Sequence, residues 1–332
     1  MRHSFPFLRT RQGWLGLAGA ACVSVVSYAV MAGASPPPAF DFPEAAAISA
    51  ERSPQSAAAQ AGMIAIPAGS YPIGSDRGRS DQRPEHRVQL SAFLIDHTEV
   101  TNAAFAEFLN ALPIAVLTDF AAGSIEEGSV AGSAIDLLRE GREGGALYPI
   151  IALDDDEARI GGESGRFVPT AGYGTHPVTE TTWAGARAYC AWRGARLPSE
   201  VEWEAAARGL EGRLYPWGDH QSPRQRVHLS NRTGETAPVG SYLGGATPLG
   251  LLDMAGSLAE WTSSLKRPYP YDPGDGRESA EAAGERVTRG GDYLFDSDPD
   301  ELTTFHRDGF SNAPERGHRH IGFRCARPAD AG

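Results

Sequence analysis

The chain has 332 residues, and its 42 acids against 30 bases give a formal charge of -12. That length suits one large domain or two ordinary ones, and 41% hydrophobic with 22% charged residues fits a soluble globular protein. The acidic balance argues against a nucleic-acid or anionic-membrane surface, which needs excess positive charge, and a sole lysine, Lys266, leaves no Walker P-loop and one candidate for Schiff-base chemistry.

Residues 1–13 carry Arg2, Arg9 and Arg11 and no acid, and an apolar stretch then runs to Ala34. Ala32-Gly33-Ala34 before Ser35 supplies small residues for cleavage, so residues 1–34 read as a signal peptide, with an uncleaved membrane anchor as the alternative. Either way the expectation is an exported protein, periplasmic or secreted. Gly19-Ala20-Ala21 lacks the leucine usual before a lipoprotein cysteine, and Thr10 separates the arginines that a twin-arginine signal needs together. Cleavage would leave 27 bases against 42 acids and remove Cys22. Residues 35–61 are rich in Pro, Ala, Ser and Gln and are expected to form a flexible linker.

A folded domain is expected over residues 62–329. Met63-Ile64-Ala65-Ile66-Pro67 suggests a strand, with Ala68-Gly69-Ser70 as a turn. Val88-Gln89-Leu90 and Phe93-Leu94-Ile95 suggest two more strands. Thr101 can cap a helix over 102–110 that puts Phe105, Phe108 and Leu109 on one core-facing side. Residues 113–172 read as irregular. Asp154-Asp155-Asp156-Glu157 lacks the spacing and central glycine of an EF-hand and reads as a solvated acidic loop.

Trp183, Ala186, Tyr189, Cys190 and Trp192 recur at helical spacing and end at Gly194. Ser199 and Glu202 form a capping box for a further helix that stops at Gly209. Glu200 and Glu204 lie four apart on that helix and read as charge favoured by the helix dipole rather than as an acid–base pair. Beyond Leu214 the chain reads as short strands, turns and loops, so the expected fold class is α+β with little regular structure. A Gly-x-Ser-x-Gly elbow is absent from the sequence, which excludes an α/β-hydrolase. His318 and His320 alternate about Arg319 and need not bind metal.

Several segments resemble the formylglycine-generating enzyme, or sulfatase-modifying factor, family. They are Ile66-Pro67-Ala68-Gly69, residues 96–102 (DHTEVTN), His176-Pro177-Val178, residues 188–192 (AYCAW), 196–209 (RLPSEVEWEAAARG), 215–218 (YPWG), 253–256 (DMAG), Glu260-Trp261-Thr262, Arg289-Gly290-Gly291 and 322–326 (GFRCA). They stand in family order across nearly all of 62–329. The resemblance implies a compact fold distantly like a C-type lectin domain.

Family members that make formylglycine oxidise a sulfatase cysteine with copper, oxygen and two cysteines that follow a Gly-Gly-Ser-Tyr motif. Here that motif reads Gly290-Gly291-Asp292-Tyr293, and the cysteine positions hold Phe295 and Asp300. Copper(I) needs soft thiolates, so copper and formylglycine-generating activity are not expected. The resemblance further implies a disulfide between Cys190 and Cys325, two buried free thiols being the alternative. It also implies a structural calcium on the Asp253 and Glu260 side chains and the Gly256 and Leu258 carbonyls. Asn231 matches one ligand of the family's first calcium site, but the segment to Pro238 is too short for its usual second acid. Asn231-Arg232-Thr233 is also a glycosylation sequon.

The stretch holding Asp292, Asp296, Asp298, Asp300, Glu301, His306 and Arg307 occupies the position of the family's groove. Asp292, Asp300, Glu301, His306 and Arg307 are the candidate catalytic residues, a solvated variable loop being the alternative. The functional expectation is a periplasmic oxidative or maturation enzyme with a different active site. Its rival is a non-catalytic binding or assembly module that uses the groove for a peptide, protein, glycan or small-molecule ligand. The added helical domain that carries iron ligands in ergothioneine-type relatives has no counterpart in the sequence.

Overall fold

The computed structural model describes residues 62–111, 125–126, 129–130, 150–153, 155–164, 166–220, 226–229, 234–296, 298–308 and 314–329. The expected signal segment 1–34, the expected linker 35–61 and Asn231 lie outside these residues.

The amino-terminal strand β1 (Met63–Ile66) pairs antiparallel with β4 (Phe93–Asp96), whose other edge takes the carboxy-terminal β13 (Ala326–Pro328). Between them, β2 (Gly69–Ile73) and β3 (His86–Leu90) form a hairpin, with Gly69 opposite Leu90. Gly69-Ser70 therefore opens a strand rather than making the turn expected from its composition. Ladder pairing with β3 overrides the weak local preference of glycine. The helix α1 (Asn102–Ala111) starts as expected, with Ala104 N–H donating to Thr101 Oγ1 at 3.3 Å.

Two short pairs, β5 (Ile125–Glu126) with β6 (Ser129–Val130) and β7 (Ile160–Glu163) with β8 (Arg166–Pro169), lie in the segment expected to be irregular. Within that segment Asp155 and Asp156 are exposed, and Glu157 pairs with Arg159 at 3.1 Å.

The helix α2 (Trp183–Trp192) is capped by Thr182, whose side chain accepts from Gly185 N–H at 2.9 Å. The helix α3 (Glu200–Arg208) carries the expected capping box: Glu202 N–H donates to Ser199 Oγ at 3.2 Å, and Ser199 N–H donates to Glu202 Oε2 at 2.8 Å. It stops at Gly209, whose φ of 70° suits a residue without a Cβ.

A second sheet has the order β11 (Arg307–Asp308), β10 (Arg286–Arg289), β9 (Ala259–Leu265), β12 (Ile321–Gly322). β12 runs parallel to β9, and the other two pairings are antiparallel. One apolar cluster packs α1 and α2 against Trp261 and Phe323, and within it Cys190 and Cys325 form a disulfide with Cα atoms 5.6 Å apart. A second cluster packs α3 against β1, β2 and β4 through Ile66, Ile73, Ile95, Val201 and Trp203.

Glu200 and Glu204, read from sequence as charge favoured by the helix dipole, serve a further role as buried ion-pair partners. Both are fully buried and ion-paired with Arg289, at 3.0 and 2.7 Å, and Arg307 Nε donates to Glu200 Oε1 at 2.6 Å. A charge buried this deeply requires a partner, and here that partner comes from the second sheet.

Candidate functional site

The second sheet and the loop that follows β10 enclose a cavity of about 240 Å³. Thr288 of β10, Asp308 of β11, Ala259 of β9 and Ile321 of β12 form its sheet wall. The facing wall is the loop from Gly291 to Asp296, and Glu301, His306 and His320 complete the lining. Gly290 and Gly291 have φ of 100° and 68°. A Cβ on Gly291 would stand 2.8 Å from Glu301 O, so this close approach needs glycine.

Local hydrogen bonds fix the acids. Asp292 Oδ1 accepts from Leu294 N–H at 2.6 Å and Phe295 N–H at 2.7 Å. Asp292 N–H in turn donates to Asp296 Oδ2 at 2.9 Å. A 3-10 turn over Pro299–Leu302 is capped by Asp298, and Glu301 Oε2 accepts from Asp298 N–H at 3.0 Å. The Phe295 ring lines the cavity, remains 54% exposed, and meets His320 edge-on at 5.0 Å between centroids.

Burial and the charges of Asp292, Glu301 and Asp308 raise the Asp296 carboxyl to about 7. Asp292 is also raised, chiefly by burial. Burial and the positive Arg79 and Arg289 lower His306 to about 3. Burial, with His318 and Arg319, lowers His320 to about 4. The site therefore combines acids that hold protons unusually well with imidazoles that stay neutral. His306 is 2% exposed, and its Nε2 has no hydrogen-bond partner among the described residues.

Of the stretch expected at the groove, Asp292, Asp296, Glu301 and His306 line the cavity. Asp300 is exposed and outside the lining, and Arg307 lies within the buried ion-pair network. Sequence reasoning did not reach Asp308, which arrives through strand pairing opposite Thr288. His320, which the sequence does not mark as a ligand, enters through the parallel pairing of β12 with β9. The alternation of His318 and His320 was the only available signal for the latter.

The positions that would hold catalytic thiols carry Phe295 and Asp300, so the donor set does not fit copper. The calcium candidates lie nearby. Asp253, Gly256 and Ser257 have φ of 57°, 69° and 61°, which curls the loop tightly. Asp253 Oδ2 accepts from Gly240 N–H at 2.6 Å, and Glu260 pairs with Arg324 at 2.6 Å. Glu260 also accepts from Trp203 Nε1 at 2.8 Å.

Glu99, not singled out from sequence, is buried here and accepts from Leu258 N–H and Ser257 Oγ, both at 2.9 Å. Burial raises the carboxyls of Glu99, Asp253 and Glu260, and the negative charges of Asp253 and Glu260 add to the rise at Glu99. Arg324 is the cation that lowers all three. Oxygen donors with surplus negative charge fit a hard cation in kind.

A model of the sulfatase-modifying factor enzyme 1-like domain matches residues 49–329. The chain belongs to this family. It is 34% identical over 300 residues to the formylglycine-generating enzyme of Streptomyces coelicolor, covering 81% of this chain and 90% of that one. It is 30% identical over 287 residues to the inactive C-alpha-formylglycine-generating enzyme 2 of Bos taurus, covering 80% of this chain and 87% of that one. The solved structure of PvdO from Pseudomonas aeruginosa matches with a TM-score of 0.50 at 24% identity, covering 80% of this chain and 94% of that one. That last likeness is one of fold.

Proposed function

We propose that this sulfatase-modifying-factor-like protein lacks copper- and cysteine-dependent formylglycine-generating activity and is a maturation-type enzyme whose groove works by acid–base chemistry. The observation that carries the reading is the cavity wall. It presents Asp292, Asp296, Glu301, Asp308 and two imidazoles, while Cys190 and Cys325 are joined to each other elsewhere. Asp296, raised to about 7, is poised to give or take a proton near neutral pH. Its fixed neighbour Asp292 would orient the substrate.

Activity outside the cytoplasm belongs to the same proposal. It is supported by the disulfide, which persists in oxidising compartments, and by the basic and apolar character of residues 1–34. We further propose that Asp253, Glu260 and the carbonyls of Gly256 and Leu258 hold a structural calcium. The exposed Phe295 ring favours a second reading, a non-catalytic module that grips a ligand in the same groove.

The test incubates purified protein with a sulfatase-motif peptide, copper and oxygen. No aldehyde should form, and aldehyde production would overturn the proposal. Once a turned-over substrate is found, Asp296→Asn should abolish turnover while leaving substrate binding measurable. Turnover unaffected by that change would remove Asp296 from the chemistry.

A further inference from the structure

The cavity has a consistent chemical character. Four carboxylates face it, and none of its described lining residues is lysine or arginine. His306 adds a nearly buried ring whose Nε2 lacks a partner among the described residues. Burial and the positive Arg79 and Arg289 keep its imidazole neutral, so it adds no positive charge to the wall. A wall of acceptors under negative potential suits a ligand whose polar end has donors and positive charge.

Among the described residues, no three His, Cys, Asp or Glu side chains are grouped to hold a metal ion. Dispersed acceptors match the spread N–H groups of an organic cation better than a single point of coordination. At the lip, the half-exposed Phe295 ring offers an apolar face.

We propose that the cavity binds a small organic cation, an ammonium or amidinium group on an apolar body, with the head among Asp292, Asp296, Glu301, Asp308 and His306 and the body against Phe295. This rests on the reading of the groove as the working site.

The proposal also carries a pH dependence. Asp296 is faced by Asp292 on its own loop, Glu301 on the 3-10 turn, Asp308 and His306 at and beside β11, and His320 beside β12. Both imidazoles stay neutral well below pH 7, so the charge gained between pH 5 and 8 comes from the carboxyls, with Asp296 raised to about 7 and Asp292 also raised by burial.

The test uses benzylammonium and its neutral isostere benzyl alcohol, titrated calorimetrically into the full protein at pH 8 and pH 5. Benzylammonium should bind about tenfold or more tightly than the alcohol at pH 8, as expected for charge-assisted hydrogen bonds. The preference should shrink at pH 5. Asp292→Asn/Asp296→Asn should abolish the preference with its melting transition still cooperative, and Phe295→Ala should weaken both probes alike. Nα-acetyl-lysine methylamide, with its ε-ammonium free, distinguishes a free amine from a protein side chain as the source: with benzylammonium preferred over benzyl alcohol, the tighter of the two amines assigns the source. Equal binding of benzylammonium and benzyl alcohol, or no binding of either amine at millimolar concentration, would overturn the inference. Those results leave the aldehyde assay untouched, so failure here is separate from failure of the functional reading.

Discussion

Replacing Arg307 with methionine should destabilise the fold severely without acting through the groove. Arg307 Nε donates to Glu200 Oε1 at 2.6 Å, and Nη2 donates to Glu200 Oε2 at 2.8 Å. Nη1 holds the carbonyls of Asp81 and Arg267 at 2.8 and 3.0 Å. The guanidinium also lies 4.2 Å over the Tyr269 ring. Burial tends to raise the Glu200 carboxyl, but Arg307 and Arg289 outweigh it and hold the group below the usual carboxylate range.

Removing one partner of such a pair costs about 3–5 kcal/mol, because the remaining charge is buried and undercompensated. Arg289 still reaches Glu200 at 3.0 Å, so the low end, about 3 kcal/mol, is expected. For a domain of this size that is a fall in melting temperature of roughly 6–12 °C. Urea unfolding followed by tryptophan fluorescence at pH 7 measures it. Glu200→Met/Arg307→Met should recover at least half the loss, since an apolar pair of similar volume often matches a buried ion pair. A loss below about 1 kcal/mol in Arg307→Met, or a double variant as unstable as the summed singles, would refute the reasoning.

Three other outcomes are expected. Cys190→Ala/Cys325→Ala opens a loop spanning 135 residues and should cost about 4–5 kcal/mol in the chain-entropy model. Thermal unfolding measures this loss, and non-reducing peptide mapping of the wild type should recover the two cysteines in one linked fragment. Asp296 has a raised folded-state pKa, so its stabilising contribution is complete below the unfolded value near 4 and is lost as pH rises through about 7. Asp296→Asn should therefore melt higher than wild type at pH 8 and close to it at pH 4, and parallel pH profiles would contradict this. Calcium in hundredfold excess over its dissociation constant should add about 2.7 kcal/mol of stability. EGTA should reverse the gain, and Glu260→Gln should lose it. Identical melting curves with and without the ion would remove the site.

The elements that were legible in advance are those whose signal is contiguous. Ser199 and Glu202 are three apart, and Gly209 ends its own helix, so cap and stop can be read from one stretch of chain. The four-stranded sheet has no such signal. Arg307 meets Glu200 across 107 residues, and an arginine beside a histidine in a groove segment reads as functional until its burial is known. Glu99 sat inside a quoted motif, but its role depends on the backbone of Leu258, 159 residues away. Asp308 and His320 reach the cavity through pairings of two-residue strands, too short to produce a periodic pattern. The acids of 292–301 were easier to find because one loop carries them together.

The central place of β4 sets the order in which the molecule can be completed. Its two neighbours are β1, paired at Met63↔Asp96 across 33 residues, and β13, whose Ala326 pairs with Ile95. The segment just before β13 also supplies Arg324 to Glu260 and Cys325 to Cys190. In amino-to-carboxy order β4 therefore keeps one edge open until residues 326–328 are available. Folding intermediates should keep that edge and the Cys190 thiol accessible late. Residues 324–328 then act as one latch, with β13 closing the first sheet, Arg324 pairing with Glu260 and Cys325 joining Cys190.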